Sequence, residues 1–410
     1  MKPTQKIKYI GRKQENGIVI DWKKVRREWD KLNIPPEYEY PIPDDCDVSK
    51  VGYIMDMSDR SRGKTTGKLI LGAICYKMYG IKLHYLVQCA ATAEPKLIKD
   101  LYDTMLSCEY IQRIYGDGWN HIIYYGRRWY LQKLDDDGKV IETDDDFCTI
   151  CLGCDEAPKL KSKYNCPRGD LIFYDEFITD YYGYNDFKWF TDLCKTIIRD
   201  RQSPLIFMSA NTIDKQSRWF DEFVIRPEIE ALNMGDHCIC CTDLGTHIYV
   251  RIFAPDRSEK REKVNRRFWG FNNPRLNAIS GRGEWATESF PHIRSAKDDK
   301  ENGDSITVRE NRLYLEHQGR LLWLRIVDHS SIGLCVYITP ATRTYPDSII
   351  YTVDEITDRR HIFGTAKGTA AELPWLLYQR NLWYYSNNSL GMVVRSYTLA
   401  MVQARQRMRV

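Results

Sequence analysis

The alternation of apolar and polar positions changes character along the chain. Over residues 21–32, Trp22, Val25, Trp29 and Leu32 recur at helical spacing, so one face of a helix is apolar. Ile34-Pro35-Pro36, Pro41 and Pro43 end that helix and continue as an extended linker. Residues 51–57 read as a short strand. Residues 65–79 carry Leu69, Ile70, Ala73, Ile74 and Met78 at helical spacing and close on Gly80. Residues 83–89 predict a second strand and 95–106 a helix; 171–174 and 205–208 are short apolar runs of the buried-strand type. Strands alternating with helices predict an α/β domain with a mostly parallel sheet over 51–253.

The pattern then loosens. Residues 254–304 are polar with scattered Gly and Asn, and read as a linker subdomain. After it, 314–315, 321–327 and 332–338 alternate apolar and polar, hinged at His317-Gln318-Gly319 and at 329–331. That is an antiparallel meander, so 305–410 is expected to be a smaller α+β domain. Residues 1–50 read as an N-terminal extension.

Composition excludes some classes. With 43% hydrophobic and 28% charged residues in 410, a core of ordinary size is available. No apolar stretch reaches the roughly 18 residues of a membrane span. The first twelve residues are polar and basic, which argues against a secretion signal. Thirteen cysteines, an odd number, point to reduced thiols rather than a disulfide framework. The net charge of +4 is small, so any nucleic-acid contact must come from local clusters. Candidates are 257–267, Arg405, Arg407 and Arg409, each of which also reads as a solvated surface. The acidic run 135–146 brackets Asp137-Gly138 and predicts a solvated hairpin. Cys148, Cys151 and Cys154 lack a fourth zinc ligand at the usual spacing and read as structural.

The chemistry concentrates in three places. Ser58-Asp59-Arg60-Ser61-Arg62-Gly63-Lys64-Thr65, followed by Thr66, matches the phosphate-loop pattern except that Ser58 stands at the first glycine. It lies between a predicted strand and an amphipathic helix, where phosphate binding requires it. Ser58, Arg60, Ser61, Arg62, Gly63, Lys64, Thr65 and Thr66 are the candidate nucleotide contacts, and Arg60 or Arg62 would offset Asp59. Lys64 would reach the terminal phosphates and Thr65 would ligate Mg²⁺. Next, the apolar strand before Asp175-Glu176 is of Walker B type: Asp175 would hold Mg²⁺ and Glu176 would polarise the attacking water. Third, the strand 205–208 runs on to Asn211, whose amide would sense the γ-phosphate or cap a turn. In this order the three motifs predict an ATPase.

Together with the basic segment 159–164 they resemble the DNA-packaging ATPases of small protein-primed tailed bacteriophages. Those are ring motors of the ASCE P-loop class, related to terminase large subunits. The resemblance covers about residues 52–211, with a weaker echo at Trp383-Tyr384-Tyr385-Ser386-Asn387-Asn388. It implies ATP and Mg²⁺ as cofactors and a homomeric, typically five-membered ring whose sites are completed by a neighbour. The trans-acting arginine would be Arg199 or Arg201, which the sequence does not separate, and Lys161, less so Lys163, resembles a second trans-acting cation. The implied partners are double-stranded DNA gripped without sequence preference, a capsid portal or connector, and a structural RNA as a further candidate. The implied location is the host cytoplasm, docked transiently on the procapsid. A ribonuclease-H-like C-terminal domain is also implied, its nuclease vestigial because Asp328, Asp347, Asp354, Glu355 and Asp358 form no evident cluster. The alternatives are a terminase with an active metal-dependent endonuclease and a non-hydrolysing P-loop scaffold protein. The Ser58 departure leaves the loop geometry open, and neither the N-terminal extension nor the acidic hairpin receives a role.

Overall fold

The computed structural model of the chain describes residues 13–14, 17–36, 38–58, 63–161, 163–164, 169–178, 185–199, 201, 204–211, 215, 217–242, 244–254, 259, 263, 267, 306–317, 319–353, 358–386 and 388–407. The chain divides into two compact units, Met1–Ala286 and Thr287–Val410.

A two-stranded hairpin, β1 (Lys13–Gln14) and β2 (Gly17–Ile18), precedes the main sheet of the first unit. That sheet is built from β3 (Val51–Met57), β4 (Leu83–Val87), β5 (His121–Tyr125), β6 (Arg128–Leu134), β7 (Val140–Thr143), β8 (Thr149–Gly153), β9 (Leu171–Asp175), β10 (Leu205–Ala210), β11 (His237–Cys241) and β12 (His247–Ile252). The strand order is β11-β12-β3-β10-β9-β4-β8-β6-β5, with β7 beside β6. The six strands from β12 to β8 are mutually parallel, and the edges are antiparallel. The mostly parallel α/β architecture is the one the sequence predicts. β10 lies between β3 and β9, so the strand after the Walker B strand is inserted beside the phosphate-loop strand.

Both faces of the parallel strands are covered, which explains their unbroken apolar runs. Ile54, Leu171, Phe173, Leu205 and Phe207 face one core with Leu69, Ile70 and Ala73 of the helix Lys64–Tyr79. Met55, Ile172, Tyr174, Ile206 and Met208 face the other, with Phe190, Leu193 and Ile197 of the helix Asp186–Ile198 and with Trp219 and Phe220. The period of two along each strand sorts neighbouring residues into separate cores.

The predicted helix of the N-terminal extension is Trp22–Lys31, capped by Asp21, whose carboxylate accepts the Lys24 N–H at 3.1 Å. It is not set apart: Val25 and Trp29 are buried in the same core as Leu69 and Ile70. The apolar stripe needed a partner, and the phosphate-loop helix supplies it. Gly80 closes that helix in the left-handed conformation, as expected. Residues 95–106 are three short pieces, Pro95–Ile98, Lys99–Tyr102 and Asp103–Ser107, instead of one helix. β6 and β7 form the acidic hairpin, with Gly138 at φ 76° in its turn. Asp144 and Asp146 tie its base down, accepting from Tyr76 Oη at 2.8 Å and Lys82 Nζ at 2.6 Å.

The second unit holds β13 (Ile306–His317), β14 (Arg320–His329), β15 (Gly333–Ala341), β16 (Ile349–Thr352), β17 (His361–Phe363) and β18 (Trp383–Tyr385), in the order β17-β16-β13-β14-β15-β18. β13, β14 and β15 are the predicted meander; β16, β17 and β18 add in parallel at its two edges. Three antiparallel strands followed by parallel additions beside the first are what a ribonuclease-H-like sheet requires. The helices Leu373–Gln379 and Asn388–Arg407 supply Trp375, Leu390, Val393 and Tyr397 to its core.

Candidate functional site

The carboxyl-terminal ends of β3, β10 and β9 lie side by side, which is where open parallel sheets place their ligands. β3 delivers Ser58, β9 delivers Asp175 and Glu176, and β10 delivers Asn211. Gly63 opens the helix Lys64–Tyr79 at φ 66°, a left-handed conformation that favours glycine, and no described side chain caps it. The first-turn N–H groups are therefore presented to an anion, with the positive end of the helix dipole behind them.

Lys64 is buried, and its ammonium donates to Ser58 Oγ at 2.5 Å and to Asn211 Oδ1 at 3.0 Å. The Ser58 departure from the phosphate-loop pattern thus has a use: its hydroxyl holds the lysine. Its own N–H donates to the Ala210 carbonyl at 3.2 Å, locking the start of the loop to β10. The same Asn211 amide donates through Nδ2 to Glu176 Oε1 at 2.5 Å, so one side chain joins the phosphate-binding lysine to the candidate base. Glu176 sits at φ 51°, a left-handed conformation uncommon for a residue other than glycine. Thr65 Oγ1 donates to Asp175 Oδ2 at 2.7 Å. Burial pushes the Asp175 carboxyl above its ordinary value, against the hydrogen bonds from Thr65 and Tyr85. A hydroxyl and a carboxylate converging beside an uncapped helix N-terminus fit Mg²⁺ together with a nucleotide phosphate. Thr66 follows on the helix, half-buried; Arg60, Ser61 and Arg62 lie outside the described residues.

Two features of this site escape a motif search. Tyr85, from the apolar strand β4, donates its hydroxyl to Asp175 Oδ2 at 3.0 Å. Behind the loop, Asp56 of β3 is fully buried and bonds Lys68 of the helix, while Arg251 Nε of β12 donates to it at 3.0 Å. Burial pushes the Asp56 carboxyl up, but Arg251 and Lys68 outweigh it and hold the group below its ordinary value. Desolvation pushes the Lys68 ammonium down. The available signal was polarity out of place: Asp56 in an apolar strand, and Lys68 one helical turn beyond Lys64.

The two candidate arginines lie at the opposite edge of the sheet, where β9 and β10 begin. Arg201 is mostly buried and ion-paired with Asp170 at 3.3 Å, and its Nη2 donates to the Gly169 carbonyl at 3.0 Å. Arg199 is exposed, at φ 50°, and its Nη2 donates to the Tyr164 carbonyl at 2.6 Å. Lys161 lies three residues before Tyr164, 69% exposed and 4.0 Å from Asp192; Lys163 is also exposed. Asp170 and Asp175 bound β9, so at about 3.3 Å per residue the two edges are about 17 Å apart. Arg199 thus lies apart from Lys64 and Glu176, while Lys161 sits beside Asp192, midway along the helix Asp186–Ile198.

The remaining candidates separate similarly. Asp328 is ion-paired with Arg309, Asp347 with Arg312 and Asp358 with Arg360. Asp354 and Glu355 lie outside the described residues, as does most of the basic stretch 257–267, and Arg409. Arg405 and Arg407 fall on the helix Asn388–Arg407. Among the described residues, no group of three or more His, Cys, Asp or Glu is placed to hold a metal, and no helix is long and apolar enough to cross a membrane. Cys148, Cys151 and Cys154 are buried on and around β8, and burial pushes the first two thiols up to about 12.

No family model and no curated protein matches the chain. Solved structures do. The Phi-28 DNA packaging motor is 16% identical at a TM-score of 0.50, covering 86% of this chain and 95% of that chain. The bacteriophage Phi-29 viral genome packaging motor assembly is 15% identical at 0.52, covering 86% of this chain and 96% of that chain. A Thermus phage large terminase ATPase domain is 13% identical at 0.33, covering 63% of this chain and 96% of that chain. The first two share the fold of this chain over both units, and the resemblance read from the motifs holds at the level of fold.

Proposed function

We propose that the chain is an ATP-driven double-stranded DNA translocase that packages a viral genome into a preformed capsid. It would act as a homomeric ring, five copies in number, with ATP sites completed between neighbours. The fold shared with two packaging motors supports the setting. The observation that carries the chemistry is the hydrogen-bond chain Lys64–Asn211–Glu176 at the phosphate end of the sheet.

In this reading the first-turn N–H groups and Lys64 bind the phosphates, and Thr65 and Asp175 hold Mg²⁺. The ion supplies neutralisation of phosphate charge. Glu176 orients and deprotonates the attacking water. Without nucleotide, the Asn211 amide occupies one Glu176 oxygen and Lys64 at once. A γ-phosphate competes for both Lys64 and Asn211, which releases Glu176 toward water. Hydrolysis is thereby tied to a correctly seated triphosphate.

Arg199 is the trans-acting residue we assign. It is exposed, whereas Arg201 is committed to Asp170 and the backbone. The roughly 17 Å between the two edges leaves Arg199 no route to its own Lys64, while a neighbour's site is open to it. DNA would be held through its phosphates by Lys and Arg, without reading bases. Motion follows from the different affinities of ring contacts in the ATP and ADP states. A portal or connector, and a structural RNA, are the partners that would dock the ring on the procapsid in the host cytoplasm. Asp328, Asp347 and Asp358 of the second unit each pair with an arginine, and no nuclease step is proposed.

The test is steady-state ATP turnover with and without double-stranded DNA. Wild type is expected to be stimulated by DNA. Glu176→Gln should bind ATP and lose at least about 10²-fold in kcat, the lower range for a positioned general base. Turnover in Glu176→Gln equal to wild type would remove Glu176 from the mechanism.

A further inference from the structure

β4 carries two adjacent polar side chains that the mechanism above leaves unused. His84 is fully buried and Tyr85 nearly so. Neighbouring side chains of a strand leave by opposite faces, so the pair reaches into both layers of the unit. On one face, Tyr85 Oη donates to Asp175 Oδ2, the same oxygen that accepts from Thr65. On the other, His84 Nε2 lies 2.7 Å from the Tyr164 hydroxyl, the rings meeting edge-on at 5.7 Å. The Tyr164 carbonyl is the acceptor that fixes the Arg199 guanidinium. The seat of the imidazole is close: a Cβ built on Gly169 would lie 2.4 Å from His84 Cε1, so the ring rests against bare backbone. A continuous set of contacts thus runs from Asp175 through Tyr85, His84 and Tyr164 to Arg199, between the two edges of one sheet.

We propose that β4 links a subunit's own nucleotide site to the Arg199 that it offers to the next copy, with His84 and Tyr164 as positioning residues. The proposal rests on the reading of Arg199 as trans-acting. Asp175 Oδ2 divides its lone pairs between two hydroxyls, and Thr65 and Asp175 are the residues that would hold Mg²⁺. Loading the site therefore changes what Oδ2 offers Tyr85. The receiving end is suited to a small displacement. Arg199 terminates the helix Asp186–Ile198 at φ 50°, its N–H bonded to the Lys195 carbonyl at 2.9 Å and its guanidinium to the Tyr164 carbonyl. A filled site would in this way set the finger for its neighbour, which orders firing around a ring without any contact between the two nucleotides.

Two measurements test this on the full-length chain. In the first, histidine rings are labelled with ¹⁵N and the His84 signal is identified by its absence in His84→Gln. Saturation with Mg·ATPγS is expected to move the His84 Nε2 resonance by more than its linewidth. Tyr85→Phe, which lacks the hydroxyl and is first checked to bind the nucleotide, is expected to leave it at its free position. A wild-type resonance unmoved at saturation overturns the link, as does an unchanged response in Tyr85→Phe. In the second, Tyr164→Phe is expected to lower DNA-stimulated kcat several-fold at unchanged KM, and to add nothing in an Arg199→Ala background. Losses that add would make Tyr164 merely structural and overturn its positioning role. If Arg199→Ala alone keeps full kcat, the trans-acting reading fails, and the resonance still decides whether β4 senses nucleotide.

Discussion

Asn211 shows why single residues of this site carry more than their motif names. Its amide has an acceptor oxygen and a donor nitrogen, and the fold turns one to Lys64 and the other to Glu176. Deeper in the sheet, the burial of His84 has a measurable consequence. Burial pushes its pKa down to about 3, with Arg201 and Lys82 adding positive charge nearby and Tyr164 bonding the neutral ring. The folded pKa is thus below the unfolded value of about 6.5, so the unfolded chain binds the extra proton between those values. Stability from this group is full above about pH 6.5 and falls as the pH drops, by up to about 1.4 kcal/mol per unit. Thermal melts at pH 7.5 and 5.5 are expected to show a larger drop for wild type than for His84→Gln, and equal drops would refute the assignment.

Elements bring together what the chain keeps apart. Asp56, Lys68 and Arg251 come from β3, the phosphate-loop helix and β12, and meet in the core behind the loop. Breaking such a buried set by removing one partner strands the others, at about 3–5 kcal/mol. Asp56→Asn is expected to lose that much in urea unfolding, because buried Lys68 is left without its carboxylate while Arg251 keeps only Glu39; a loss under about 1 kcal/mol would show that water relieves the site. The elements themselves were largely legible in the sequence. β3, β9, β10 and the helix that begins at Lys64 announce themselves by apolar runs and helical spacing, and the meander β13–β15 by alternation. The sequence hid partners. The stripe of Trp22, Val25 and Trp29 predicted a helix but not the core it joins, and β12 lacked any signal that it would lie parallel to β3. Residues 95–106 were read as one helix, where Cα geometry breaks at Ile98 and Tyr102. The three site motifs were readable because their chemistry requires fixed residue types. Tyr85 was not, because a tyrosine in an apolar strand is ordinarily core packing.

At the scale of the molecule, the parallel sheet sets two chemistries at opposite edges. One edge gathers Lys64, Asp175, Glu176 and Asn211; the other, where β9 and β10 begin, carries Arg199. The sequence left Arg199 and Arg201 equal, and burial separates them: Arg201 is held within its own subunit by Asp170, while Arg199 is exposed. The second unit offers a sheet of ribonuclease-H-like order in which Asp328, Asp347 and Asp358 are each ion-paired with an arginine. Movement along DNA is the claim on which the whole account depends, and displacement of a triplex-forming oligonucleotide from a linear duplex reads it directly. With procapsids and ATP, wild type is expected to strip the third strand, whereas Glu176→Gln, binding ATP and DNA, should leave it in place. ATP hydrolysis stimulated by DNA with the third strand undisturbed would contradict the account, because the chain would then be a DNA-dependent ATPase that does not translocate.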